Sequence, residues 1–69
     1  MKDLETSDPR EHSQNIRSEL QKVAEHLRRD LAKVEDPQAK ALFETSAEVL
    51  FGLINAFSHF EAKSEEAWK

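Results

Sequence analysis

The chain has 69 residues, enough for one small domain, and no cysteine, which excludes disulfide frameworks, thiolate metal sites and thiol nucleophiles. One glycine and two prolines leave too little turn chemistry for a β fold built on repeated hairpins. Charged residues make up 35% and hydrophobic ones 38%, too apolar and too regularly patterned for disorder, and the net charge of −4 sets the molecule as a whole against nucleic acid and anionic membranes.

Residues 1–8, MKDLETSD, are acidic and polar and read as a disordered tail. They lack the apolar stretch of roughly 7–15 residues that a secretory signal needs, and they are not Arg-rich like a transit peptide. The most apolar run, VLFGLINAF over 49–57, is interrupted by Gly52 and Asn55 and falls far short of the about 20 residues of a membrane span. The expected setting is soluble and cytoplasmic.

Two Asp-Pro pairs punctuate the chain. Asp8-Pro9-Arg10-Glu11 places an N-cap acceptor, a proline at the first helical position and a glutamate at the third, the pattern of a capping box. Asp36-Pro37 repeats the first half of that device, and the proline disfavours helical geometry at Asp36. The first helix is therefore expected over about 9–34 and the second over about 37–66, roughly 40 and 45 Å long. A connection of two or three residues around Glu35 and Asp36 folds them into an antiparallel hairpin. The fold class is all-α.

Apolar periodicity separates the two helices. Ile16, Leu20, Val23, Leu27, Leu31 and Val34 form a seam about 80° wide, enough for one neighbour. In the second helix Leu42, Phe43, Ala47, Val49, Leu50, Leu53, Ile54, Ala56, Phe57 and Phe60 spread over about 180°, with Phe51 beyond the edge. One partner helix cannot cover so wide a face. Each large side chain left in water forgoes about 1.5–3 kcal/mol, and a lone hairpin of this size has little core to spare. The economical solution is a homodimeric four-helix bundle with Leu42, Phe43, Val49, Leu50, Phe51, Leu53, Ile54, Phe57 and Phe60 as interface, or the same face docked on another helical protein. Gly52, which weakens a helix by about 1 kcal/mol relative to alanine, either admits a close neighbour beside Phe51 or is a tolerated surface glycine.

The polar residues offer little chemistry. His12, Glu19, His26 and Asp30 line one flank of the first seam, and His26 and Asp30, four apart, are the candidate pair for a metal; the commoner arrangement is a salt-bridged, half-exposed flank. No Glu-x-x-His and no His-Glu-x-x-His motif occurs. Thr45-Ser46 and Ser58-His59 are helical neighbours that point apart and form no nucleophile–base dyad. Neither an enzyme nor a cofactor is expected. Arg10, Arg17 and Arg28 fall within a 20° strip on the other flank, and two such strips side by side in a dimer would suit a phosphate backbone. A hairpin of this length dimerising into a bundle also resembles the small Rop-type RNA-binding dimers, in architecture alone, with no shared motif and no residue carried across. Glu11, Glu25 and Glu35 dilute the basic strip, and a solvated, salt-bridging face is the simpler explanation. The last residues, with a frayed end at 67–69 and Trp68 among them, depart from the apolar repeat and read as a packed or frayed helix end or a short recognition tag.

Overall fold

The computed structural model describes the backbone of residues 1–67 and the side chains of residues 1–63. Two helices, α1 (Pro9–Leu31) and α2 (Pro37–Ala67), pack against each other as a hairpin. Ser13 near the start of α1 meets Phe57 and Glu61 near the end of α2, while Arg28 meets Phe51, so the pair is antiparallel. The expected frayed end at 67–69 lies outside the described residues apart from Ala67, which closes α2, and so does Trp68.

Both helices begin as the Asp-Pro pairs dictate. Asp8 Oδ1 accepts the Arg10 amide at 2.9 Å, and Asp36 Oδ1 accepts the Gln38 amide at 3.1 Å, so each aspartate satisfies one of the donors that a helix start leaves free. The capping box expected at Asp8 is only half made. Thr6 Oγ1, not Glu11, accepts the Asp8 amide at 3.1 Å, because the preceding chain turns back over the helix start.

Residues 1–8 carry no regular secondary structure and lie against α1. Asn15 Nδ2 donates to Lys2 O at 2.7 Å, and His12 Nε2 sits 2.7 Å from Thr6 O, which places a proton on that ring nitrogen.

Helix α1 ends at Leu31, three residues short of Val34, and the connection spans residues 32–36. The Lys33 amide bonds to Asp30 O at 2.9 Å, a tightened final turn that substitutes for the missing glycine. A helix carried on to Val34 would leave only Glu35 and Asp36 to reverse the chain; the earlier stop gives five residues to cross the 8–10 Å between packed helix axes.

The contact face of α1 is also rotated. It comprises Ser13, Arg17, Leu20, Ala24, Leu27 and Leu31, about 40° from the purely apolar seam read from the sequence. Ile16 and Val23, expected inside, are 36% and 50% exposed. Ala24 and Ser13 take their place because small residues let the helix axes approach, and because an ion pair occupies one end of the seam.

The result is a slab one helix thick, 49 × 22 × 13 Å. Its buried apolar residues are Ala24, Ala47 and Ile54, and no large side chain is fully buried among the described residues. A radius of gyration of 15.1 Å exceeds both the about 11 Å of a compact 69-residue domain and the about 14 Å of one twice as long.

Candidate interaction face

Helix α2 carries two stripes of the same spacing. Phe43, Ala47, Leu50, Ile54, Phe57 and Glu61 recur at 4-3-4-3-4 and face α1; all six are buried or half-buried. One residue earlier at every step stand Leu42, Ser46, Val49, Leu53, Ala56 and Phe60. One residue is 100° of helix, close to the right angle between the two neighbours of any helix in a four-helix bundle. In this second stripe Leu42 is 62% exposed and Phe60 43%, with Val49 and Leu53 between those values. Leu53, Ala56, Phe57 and Phe60 line an open, almost wholly apolar groove.

Helix α1 repeats the pattern. One residue before each member of its contact face come His12, Ile16, Glu19, Val23, His26 and Asp30. Because the helices are antiparallel, a step of one residue backwards turns both second stripes towards the same broad side of the slab. Exposed Ile16 and Val23 thus extend the apolar surface of α2. Between Leu42 and Phe60 the only acidic or basic side chains besides His59 are Glu44 and Glu48, and both lie on the opposite flank with Arg28 and Phe51.

That opposite flank is charged, and where it borders the seam Arg17 and Glu61 are paired. Arg17 Nε donates to Glu61 Oε2 at 2.9 Å and Arg17 Nη2 to Glu61 Oε1 at 3.0 Å, a fork that grips both carboxylate oxygens. Ser13 Oγ donates to Glu61 Oε2 at 2.9 Å. The Arg17 hydrogen bonds hold the Glu61 carboxyl below its ordinary range against the opposing pull of burial, with the Ser13 hydroxyl and the Arg17 charge adding to the effect. Arg17 is raised by the same hydrogen bonds and charge. Arg28 lies over the Phe51 ring at 4.6 Å from its centroid, a cation–π contact, and Arg10 Nη2 is 3.9 Å from Asp8 Oδ2. A shallow cleft between the helices is lined by Arg10, Gln14, Arg17, Ser58 and Glu61.

The residues singled out from the sequence therefore fall into three groups. Phe43, Leu50, Ile54 and Phe57 line the seam within the hairpin. Leu42, Val49, Leu53 and Phe60 stand uncovered on the broad apolar side, and Phe51 lies on the charged flank beneath Arg28. Arg10 and Arg28 share that flank with Glu44 and Glu48, and Arg17 and Glu61 pair where it borders the seam. His26 Nε2 and Asp30 Oδ2 are 3.1 Å apart, and Arg29 Nη2 approaches His26 Nδ1 at 3.4 Å, so both ring nitrogens have neighbours within the helix. Among the described residues no three His, Cys, Asp or Glu side chains converge to hold a metal ion. None of the described helices is long and apolar enough to cross a membrane.

The Ser13–Arg17–Glu61 cluster escaped the sequence reading. Its signal is the 4-3-4-3-4 repeat itself, which continues through Glu61 in α2 and through Ser13 and Arg17 in α1 once polar residues are admitted to it. Compared with known proteins, the chain matches no family model, no curated protein and no solved structure.

Proposed function

We propose that the chain is a non-enzymatic, self-associating helical module in which two copies close a four-helix bundle through the second stripes, presenting the charged flanks as outer surfaces for scaffolding. The observation that carries this reading is the uncovered row Leu42, Val49, Leu53 and Phe60, with Ile16 and Val23 beside it on one side of a slab 13 Å thick. An apolar row of that length forgoes several kcal/mol while it stays in water.

Surface area favours a second copy as the occupant. The chain exposes 5460 Å², about 1,000 Å² more than a compact protein of 8.0 kDa. For two chains to reach the surface typical of a 16 kDa protein they must bury about 3,500 Å² between them, which lies in the range of obligate homodimers.

RNA binding is the weaker reading. Pairing through the apolar side puts the two arginine flanks on opposite outer faces, and each flank carries its own carboxylates.

The test is the solution mass by light scattering over a hundredfold concentration range. A mass of two chains is expected throughout, and Leu53→Asp should reduce it to one while helicity is retained. A single-chain mass at every concentration for the unsubstituted protein overturns the proposal.

A further inference from the structure

Face-to-face pairing of two slabs allows two kinds of two-fold axis. If the axis runs along the helices, α2 of one copy stacks on α1 of the other and both loops lie at the same end. If it runs across them, α2 stacks on α2 and α1 on α1, antiparallel, with the loops at opposite ends. Resting on the homodimer reading above, we infer that the axis runs across the helices, passing near residue 51 of α2 and near residues 19–21 of α1.

The composition of the stripes chooses between the two. The second stripe of α2 is Leu42, Ser46, Val49, Leu53, Ala56 and Phe60, with no ionisable group. That of α1 is His12, Ile16, Glu19, Val23, His26 and Asp30, in which four of six positions are ionisable. Stacking α1 on α2 would press Glu19 and Asp30 against Leu, Val and Phe, and desolvating a carboxylate without a partner is costly. Stacking like on like gives one dry seam and one polar seam. In the polar seam, centred on residue 21, His12 of one copy comes opposite Asp30 of the other, Ile16 opposite His26 and Glu19 opposite Val23, and the edge stays open to water.

Position along the helices agrees. The α2 stripe is symmetric about residue 51, so an antiparallel copy sets Leu42 against Phe60, Ser46 against Ala56 and Val49 against Leu53. Every contact in that series pairs two apolar or small side chains. The α1 stripe is symmetric about residue 21, and its exposed apolar pair, Ile16 and Val23, is centred between 19 and 20. Ser13 Oγ, 3.5 Å from Phe57 O and 2.9 Å from Glu61 Oε2, sets the relative level of the two helices within the chain. Counting from those contacts, residue 51 of α2 lies level with residues 19–23 of α1; Arg17–Glu61 and Arg28–Phe51 give later positions because these long side chains reach back towards the N-termini of their own helices. A line across the slab from residue 51 to residues 19–23 of α1 thus passes close to the symmetry centres of both stripes, as an axis perpendicular to the helices requires.

The experiment uses the absence of cysteine, which lets a single spin label be placed without background. Gln38→Cys labels the start of α2 and Glu48→Cys its middle, both at exposed positions outside the second stripe's apolar members. Distances between labels in the dimer are read by pulsed electron–electron resonance. With the axis across the helices, the two labels at position 38 are separated by about 40 Å, from 26 residues at 1.5 Å each, while those at position 48 lie within about 25 Å. Equal, short separations at both positions overturn the inference and leave the dimer standing. A single-chain mass together with no dipolar coupling, in variants whose helicity matches the unsubstituted chain, overturns the dimer as well.

Discussion

The two stripes of α2 are one pattern used twice, and they meet different fates. The stripe ending in Glu61 is consumed inside the chain: Ile54 and Ala47 are buried, and its only charge is neutralised by Arg17 and hydrogen-bonded by Ser13. The stripe one residue earlier ends in Phe60, holds no charge and is left in water. Regular heptad-like spacing specifies that a helix has neighbours, and the step between stripes specifies where they sit. Whether the neighbour is supplied by the same chain is decided by how many helices the chain has. Among the described residues there are two, so each helix has one neighbour in the chain.

The sharpest way to break this comparison is to place a charge in each stripe in turn. Ile54→Asp buries a carboxylate with no cation at that level, and a cost above about 4 kcal/mol exceeds what a hairpin of this size can lose. Far-ultraviolet dichroism should report collapse of the helices at any concentration. Leu53→Asp, one residue away, leaves the inner seam intact. Its expected signature is a midpoint of thermal unfolding that no longer rises with concentration, with a loss of about 2–3 kcal/mol of stabilisation per chain. If both variants behave alike, the two stripes are not functionally separate.

Glu61 sharpens the comparison from the polar end. Its carboxyl is held below its ordinary value of 4.5, so its contribution is complete above that pH and is lost as pH falls through the depressed value of the folded state. Glu61→Gln should cost about 1.5–3 kcal/mol at neutral pH and flatten the acid limb of a stability-versus-pH curve. An unchanged acid limb would mean that other carboxylates govern it. The smallest effect is expected at Gly52, where an added methyl group meets nothing within 4 Å in the chain. Gly52→Ala should stabilise the helix by about 1 kcal/mol in chemical denaturation, and a loss instead would locate a close approach by another backbone at that point.

Much of this molecule was legible in the order of its residues. Asp8-Pro9 and Asp36-Pro37 announce both helix starts, because a carboxylate acceptor and a ring-locked φ act locally and need no tertiary partner. The excess width of the apolar face on α2 is likewise a property of spacing alone. The end of α1 was less legible, since the tightened turn at Asp30–Lys33 replaces a glycine signal that the sequence does not contain.

The side of α1 that faces inward was only half legible, since Leu20, Leu27 and Leu31 belong both to the apolar seam and to the contact face. Apolar periodicity drew the α1 seam through Ile16 and Val23, and packing turned it towards Ser13, Arg17 and Ala24. A helix with two apolar edges satisfies the sequence equally well with either edge inside. The choice rests on side-chain size at the crossing and on the fork between Arg17 and Glu61, whose 44-residue separation hides it from any local pattern. The sequence by itself determined two helices, their caps and a surplus of apolar surface, because backbone sterics and helical period are local. Only the tertiary structure decided which edge is spent within the chain and which is left outside, because that depends on how closely two particular surfaces can approach.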